Sequence, residues 1–273
     1  MHYEILGRED AQAPTILLSS GLGGAGRFWE PQLESLTRTH RVVIYDHLGT
    51  GASPAELPHG YTIADMAQEA LALLDRLEIR RVDFMGHALG GLVGLQMALI
   101  DPARLQRLIV INAWSRVDVQ SERCFRVRLA LLDGSGTQAY LHAQPLFLYP
   151  ADWLSAHHDR LLSEEAHALA HFPGEANVKA RIGALCAFDI DAQLGAIKTP
   201  TLVIATRDDL LVPHTCSRRL ADGLPNANLA LFDYGGHGLT VTVPDTFNAA
   251  VEQWLGDPLA VPVTAVPVTG VST

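Results

Sequence analysis

The sequence predicts an α/β fold: a mostly parallel central sheet flanked by helices, with a helical cap inserted between two strands. Three observations point there. Short, continuous, β-branched apolar runs recur along the chain, as in strands buried on both faces. Segments with apolar residues at helical spacing separate them. The stretch 113–191 then drops this alternation for helix-like patterns with interspersed aromatics. An alternating strand–helix order implies right-handed crossovers with helices on both faces.

Taken in order, the first run is Thr15-Ile16-Leu17-Leu18-Ser19, followed by the loop Ser20-Gly21-Leu22-Gly23-Gly24. The second spans 41–45 and leads into the loop 46–54. Thr62 reads as a helix N-cap with Asp65 in the capping-box position. Ile63, Met66, Ala67, Ala70, Leu74 and Leu77 then repeat at helical spacing. A third strand covers 81–85, and a helix over 89–100 stops at Asp101-Pro102. A fourth strand is expected at 108–112. In the insertion, helical patterns occupy 126–132, 137–143 and 163–171, among Trp114, Phe125, Tyr140, Phe147, Tyr149, Trp153 and Phe172. Strands at 201–205 and 228–232 complete the set, and Pro244 opens the last helix at its first position. The expected division is therefore a core of 1–112 and 192–256 and a cap of 113–191. The tail 257–273 repeats Pro, Val and Thr without an amphipathic period and is expected to be disordered.

Composition narrows the function classes. The chain has 273 residues and is 48% hydrophobic, which excludes wholesale disorder. No apolar run approaches the ~18–20 residues of a membrane span. Met1-His2-Tyr3-Glu4-Ile5 has no basic flank leading into an apolar stretch, so no secretory signal is expected. The net charge is -10, and only Lys179 and Lys198 are lysines. The arginines are scattered, so neither nucleic acid nor a membrane is an expected partner. Cys124, Cys186 and Cys216 are far apart and form no C-x-x-C, so neither a zinc site nor a thiol-redox motif is expected. They read as reduced thiols in a cytoplasmic protein that acts on a small molecule. The oligomeric state is not legible.

The chemistry concentrates after the strand at 81–85. Gly86-His87-Ala88-Leu89-Gly90-Gly91 has the layout of a nucleophile elbow: strand, sharp turn, helix. The glycines suit close backbone packing around a strained central residue. That residue is Ala88, and a methyl group cannot attack a carbonyl. Asp209-Leu210-Leu211-Val212-Pro213 follows the strand at 201–205, where this arrangement places its acid. Asp208 competes, and Asp209 is preferred by its distance from Pro213. Tyr234-Gly235-Gly236-His237-Gly238 follows the strand at 228–232, where the histidine belongs. His87 reads as a packing or orienting residue. Ser20-Gly21-Leu22-Gly23-Gly24 lies where a loop supplies an oxyanion-hole N–H. The order elbow, acid, histidine is that of hydrolases of this architecture.

On these residues the chain resembles the α/β-hydrolase superfamily across 1–256. More narrowly it resembles the RutD-type family of pyrimidine degradation. The segments 20–24, 86–90, 208–213 and 234–237 carry the resemblance, with Thr246-Phe247-Asn248 and the cap segment Gln144-Pro145-Leu146-Phe147-Leu148-Tyr149-Pro150-Ala151-Asp152-Trp153. That family also tends to have alanine at the elbow. A departure is Leu48 in Asp46-His47-Leu48-Gly49-Thr50-Gly51, where relatives usually show arginine. The resemblance implies a hydrolase of uracil breakdown acting on carbamate or on aminoacrylate, and the residues leave that choice open. A non-catalytic small-molecule binder is the reading from another class.

Without a serine no acyl-enzyme can form. The remaining tools are an oxyanion hole from the backbone N–H groups of Leu22 and Leu89, and the His237–Asp209 pair. Oxyanion-hole and binding catalysis without the full triad is worth about 10³–10⁴-fold. Such sizes suit an intrinsically labile small carboxylate or carbamate. No metal or organic cofactor is expected, since Gly86 to Gly91 lacks dinucleotide-binding spacing.

Overall fold

The computed structural model describes residues 1–10 and 12–257, so the expectation for the tail falls outside the described residues beyond Asp257. The chain begins with β1 (Tyr3–Gly7) and β2 (Thr15–Ser19), then α1 (Glu30–Thr37) and β3 (Arg41–Tyr45). Next come α2 (Ile63–Arg76), β4 (Val82–His87), α3 (Leu89–Ile100) and β5 (Leu105–Ile111). Four helices follow: α4 (Val119–Leu148), α5 (Ala151–Ala156), α6 (His158–Ala170) and α7 (Glu175–Ala187). The chain then returns through β6 (Thr201–Thr206), α8 (His214–Gly223) and β7 (Ala227–Phe232) to α9 (Leu239–Thr242) and α10 (Pro244–Gly256).

The strands form one sheet in the order β1-β3-β2-β4-β5-β6-β7. Only β1 runs antiparallel, against β3, with Tyr3 opposite Tyr45. The sequence reading missed β1. Its residues are exposed or half-buried at the sheet edge, so no continuous apolar run announces it. The interior strands are apolar throughout because both faces are covered. Leu17, Val43, Phe84, Leu108 and Val110 pack beneath α2 and α3. Their neighbours Ile16, Leu18, Val42, Ile44, Met85 and Ile109 face Trp29, Phe247 and Trp254 on the other side.

Local signals act as read at several points. Thr62 Oγ1 accepts from the Asp65 amide and Asp65 accepts from the Thr62 amide, closing the capping box of α2. Pro244 opens α10. In the cap, the patterns at 126–132 and 137–143 are parts of one broken helix. Gly136 adopts φ 82°, a conformation that favours glycine, and there α4 folds back on itself. A straight helix would hold residues 128 and 144 about 24 Å apart. Instead Arg128 Nη2 donates to Gln144 Oε1 at 3.0 Å. Helix α7 was missed by the sequence reading.

A buried ion pair ties the sheet to its last helix. Arg107 on β5 meets Asp83 on β4 at 2.8 and 2.7 Å. Its Nη1 also donates to the Leu255 carbonyl at the end of α10. Asp83 is 2% exposed. Removing one partner of such a pair strands a buried charge, which costs about 3–5 kcal/mol. Arg107→Met should therefore lower the unfolding free energy by about 3–5 kcal/mol in a urea titration. A loss under about 1 kcal/mol would show that the pair contributes little.

Candidate active site

The elbow is a problem of space before it is one of chemistry. Ala88 sits between β4 and α3 at φ 47°, ψ -110°, in the region that side chains disfavour. A Cβ on Gly90 would collide with the Ser19 carbonyl, and one on Gly86 with the Gly90 carbonyl. Both glycines are thus dictated by backbone contact between β2, β4 and α3. The strained turn is held by the Ala88 amide, which donates to the Ile111 carbonyl at 2.8 Å.

The two aspartates of the 208–213 segment separate cleanly. Asp209 Oδ2 lies 2.8 Å from His237 Nδ1, and both residues are buried. Its Oδ1 accepts from the amides of Leu211 and Val212 at 2.8 Å each. Asp208 instead accepts from the amides of Gly235 and Gly236 at 3.1 and 2.9 Å. One carboxylate orients the imidazole, and the other shapes the loop that carries it. With Nδ1 donating to Asp209, the Nε2 of His237 makes no hydrogen bond among the described residues.

Two further groups hold the His237 backbone. Asn112, just past β5, has φ 47° and donates from Nδ2 to the His237 carbonyl at 2.9 Å. His87 Nε2 donates to the same oxygen at 2.8 Å, and its ring lies 4.8 Å from that of His237. Burial first, then the nearby His237, push the His87 pKa down to about 3, so it is a neutral donor. The orienting role read for His87 matches this contact. Asn112 was read only as the end of a strand, and nothing in its local sequence marks its reach across to residue 237.

The loop 20–24 lies beside the elbow: a Cβ on Gly21 would stand 3.0 Å from His87 Nδ1 and 3.7 Å from Ala88 Cβ. Leu89 opens α3, so its amide is one of the first-turn donors without an acceptor inside the helix. Among the described residues the Leu22 amide has no acceptor either. The Leu22 carbonyl accepts from Arg181 Nη1 at 3.3 Å, and Arg181 Nη2 donates to the Leu48 carbonyl. The loop at 46–51 is therefore anchored by an arginine from cap helix α7, although residue 48 is leucine. The cap also seats on the histidine loop, where the Gly238 amide donates to the Leu148 carbonyl at 2.9 Å. Among the described residues no group of His, Cys, Asp and Glu side chains is arranged to hold a metal.

A family model described as the alpha/beta hydrolase fold matches residues 14–242. A relative from Stutzerimonas stutzeri, named "Putative carbamate hydrolase RutD", is 60% identical over 94% of this chain and 97% of its own. One of the same name from Agrobacterium fabrum is 54% identical over 93% and 98%. The chain is a RutD-type member of the α/β-hydrolase family. Solved structures of this family superpose closely. A hydrolase from Pseudomonas aeruginosa does so with a TM-score of 0.83 at 31% identity, covering 93% of each chain. An enol-lactonase from Burkholderia xenovorans gives 0.84 at 28%, covering 94% and 96%. Among the described residues of this hydrolase-fold protein, no helix is long and apolar enough to cross a membrane.

Two outcomes are expected. Ala88→Ser places a hydroxyl at the elbow tip, and with His237 in reach it should form an acyl-enzyme with an activated aryl ester. The readout is a burst of aryl leaving group equal to the protein present, absent from the wild type. No burst from a folded variant would mean that position 88 and His237 are out of hydrogen-bond reach. The second outcome concerns pH. Unfolded His87 takes up a proton below its ordinary pKa of 6.5, whereas the folded residue resists until about 3. Stability is therefore full above the unfolded value and lost as pH falls through that window. His87→Gln keeps an N–H donor and should reduce proton uptake on unfolding at pH 4–5 by about one. Unchanged uptake would show that His87 is not held neutral.

Proposed function

We propose that the protein accelerates the breakdown of carbamate to ammonia and carbon dioxide in pyrimidine catabolism, without a covalent intermediate. The observation that supports this most directly is an intact His237–Asp209 pair beside an elbow whose residue, Ala88, cannot be a nucleophile. The names of the relatives carry the same substrate.

The chemistry follows from the labile substrate. In H₂N–COO⁻ the nitrogen lone pair is delocalised into the carboxylate, and a proton on nitrogen ends that delocalisation. The Leu22 and Leu89 amides receive one carboxylate oxygen. His237, as imidazolium, donates its Nε2 proton to the nitrogen. The C–N bond then breaks, and its electron pair leaves with ammonia. Carbon dioxide remains, and His237 regains a proton from solvent. Asp209 keeps the ring in the orientation that points Nε2 at substrate. General acid help of this kind is worth about 10²–10⁴-fold.

The test is ammonia release from carbamate in excess of the spontaneous rate. His237→Ala should remove about 10²–10⁴-fold of the acceleration. Asp209→Asn should retain the fold and lose less than His237→Ala, because no serine has to exchange a proton with the ring. Equal rates for wild type and His237→Ala would sink acid catalysis. A larger loss from Asp208→Asn than from Asp209→Asn would assign the orienting role to the wrong carboxylate.

A further inference from the structure

The cap buries a positive charge that the dyad does not use. Arg128 lies on the first arm of α4 and is 2% exposed. Among the described residues its partners are all neutral. Nη2 donates to Tyr140 Oη at 2.8 Å and to Gln144 Oε1 at 3.0 Å. The guanidinium carbon lies 5.0 Å from the Tyr140 ring centre and 5.9 Å from that of Phe125. Nε is buried with no hydrogen-bond partner, and Nη1 makes no hydrogen bond among the described residues. A buried guanidinium is expensive unless its charge is paired. If Arg128 only joined the two arms of α4, a neutral residue would do so at lower cost.

Its place in the fold says where a counter-charge would come from. The first arm rests on the loop of Asp209, with Ser121 Oγ donating to the Leu211 carbonyl at 2.8 Å and Gln120 Nε2 to Leu210 at 3.1 Å. The second arm ends on the loop of His237, at the Leu148–Gly238 hydrogen bond. Along the helices Arg128 lies about 10–12 Å from the first foot, and its partner Gln144 about 6 Å from the second. One turn before it, Phe125 packs against Trp114, in the segment leaving β5, with centroids 6.3 Å apart. The Trp114 Nε1 is likewise buried without an acceptor. This roof therefore offers unmatched donors. An ionised carboxylate only accepts hydrogen bonds, and it supplies the missing charge. Arg181 is equally buried and its Nε also lacks a partner, but both its Nη groups are committed to the carbonyls of Leu22 and Leu48.

We propose that Arg128 anchors one oxygen of the substrate's carboxylate, the other lying at the Leu22 and Leu89 amides, and that the site takes short carboxylate anions through a single free donor, Nε or Nη1. This rests on the reading that an anionic substrate reacts at His237, and it adds the residue that selects the anion. Tyr140 and Gln144 hold the guanidinium in place.

The full chain is titrated calorimetrically with propionate and with propionamide, its uncharged counterpart. Arg128→Met should weaken propionate binding about 10–100-fold, as expected for lost charge-assisted hydrogen bonds, and leave propionamide unchanged. Should Arg128→Met not fold, Arg128→Gln keeps a polar contact to the second arm and should show the same loss. Propionate bound equally by wild type and the folded Arg128 variant overturns the proposal. So does absence of propionate binding to the wild type, or a loss confined to Arg181→Met. Binding needs no turnover, so a protein that holds propionate through Arg128 yet leaves carbamate breakdown unaccelerated sinks the proposed reaction alone.

Discussion

The close approach of Gly90 to the Ser19 carbonyl is the constraint on which the site depends. It lets α3 start directly against the sheet, between β2 and β4. Only then is Ala88 forced to positive φ, with the Leu89 amide at the open end of α3. The loop 20–24 leaves the same strand end, so its amides arrive beside the elbow without any dedicated support. The strain at position 88 costs about 1–3 kcal/mol and is borne by the packing of two fully covered sheet faces. The turn is present around a side chain that cannot attack, and it leaves the Leu89 amide at the open first turn of α3.

A second convergence sets the histidine. The His237 carbonyl collects donors from Asn112 and His87, while Asp208 takes the amides of Gly235 and Gly236. Thr206 adds its hydroxyl to the Gly236 carbonyl at 2.8 Å. The backbone of this loop is thus saturated from β4, β5 and β6 before the imidazole is considered. Asp209 then has a single task at the ring. The cap closes from the other side through Leu148 and Arg181, which hydrogen-bond to the histidine loop and to the loop 20–24.

Much of this was legible in the sequence, for identifiable reasons. Buried parallel strands such as Thr201–Thr206 advertise themselves as unbroken apolar runs, and the motif residues lie at their ends. Gly86, Gly90, Asp209 and His237 could be located because their positions at strand ends follow from local chain geometry. Strand β1 was not legible, since its pairing with β3 is all that makes it a strand. The break in α4 shows in the sequence as the gap between the patterns at 126–132 and 137–143, but the reversal of direction at Gly136 was not legible, because periodicity carries no information on how two helices are turned against each other. Asn112, Arg128 and Arg181 were missed for one reason: each acts on partners distant in the chain, and nothing near them in sequence marks that reach.

The central claim is that bond breaking follows proton delivery to nitrogen, with no attack on carbon. The first carbon product formed from carbamate in ¹⁸O-labelled water decides this, followed by rapid mass spectrometry before carbon dioxide exchanges with solvent. Proton delivery by His237 predicts accelerated release of unlabelled carbon dioxide. Bicarbonate carrying ¹⁸O as the first product, or no acceleration over the spontaneous reaction, would contradict the account.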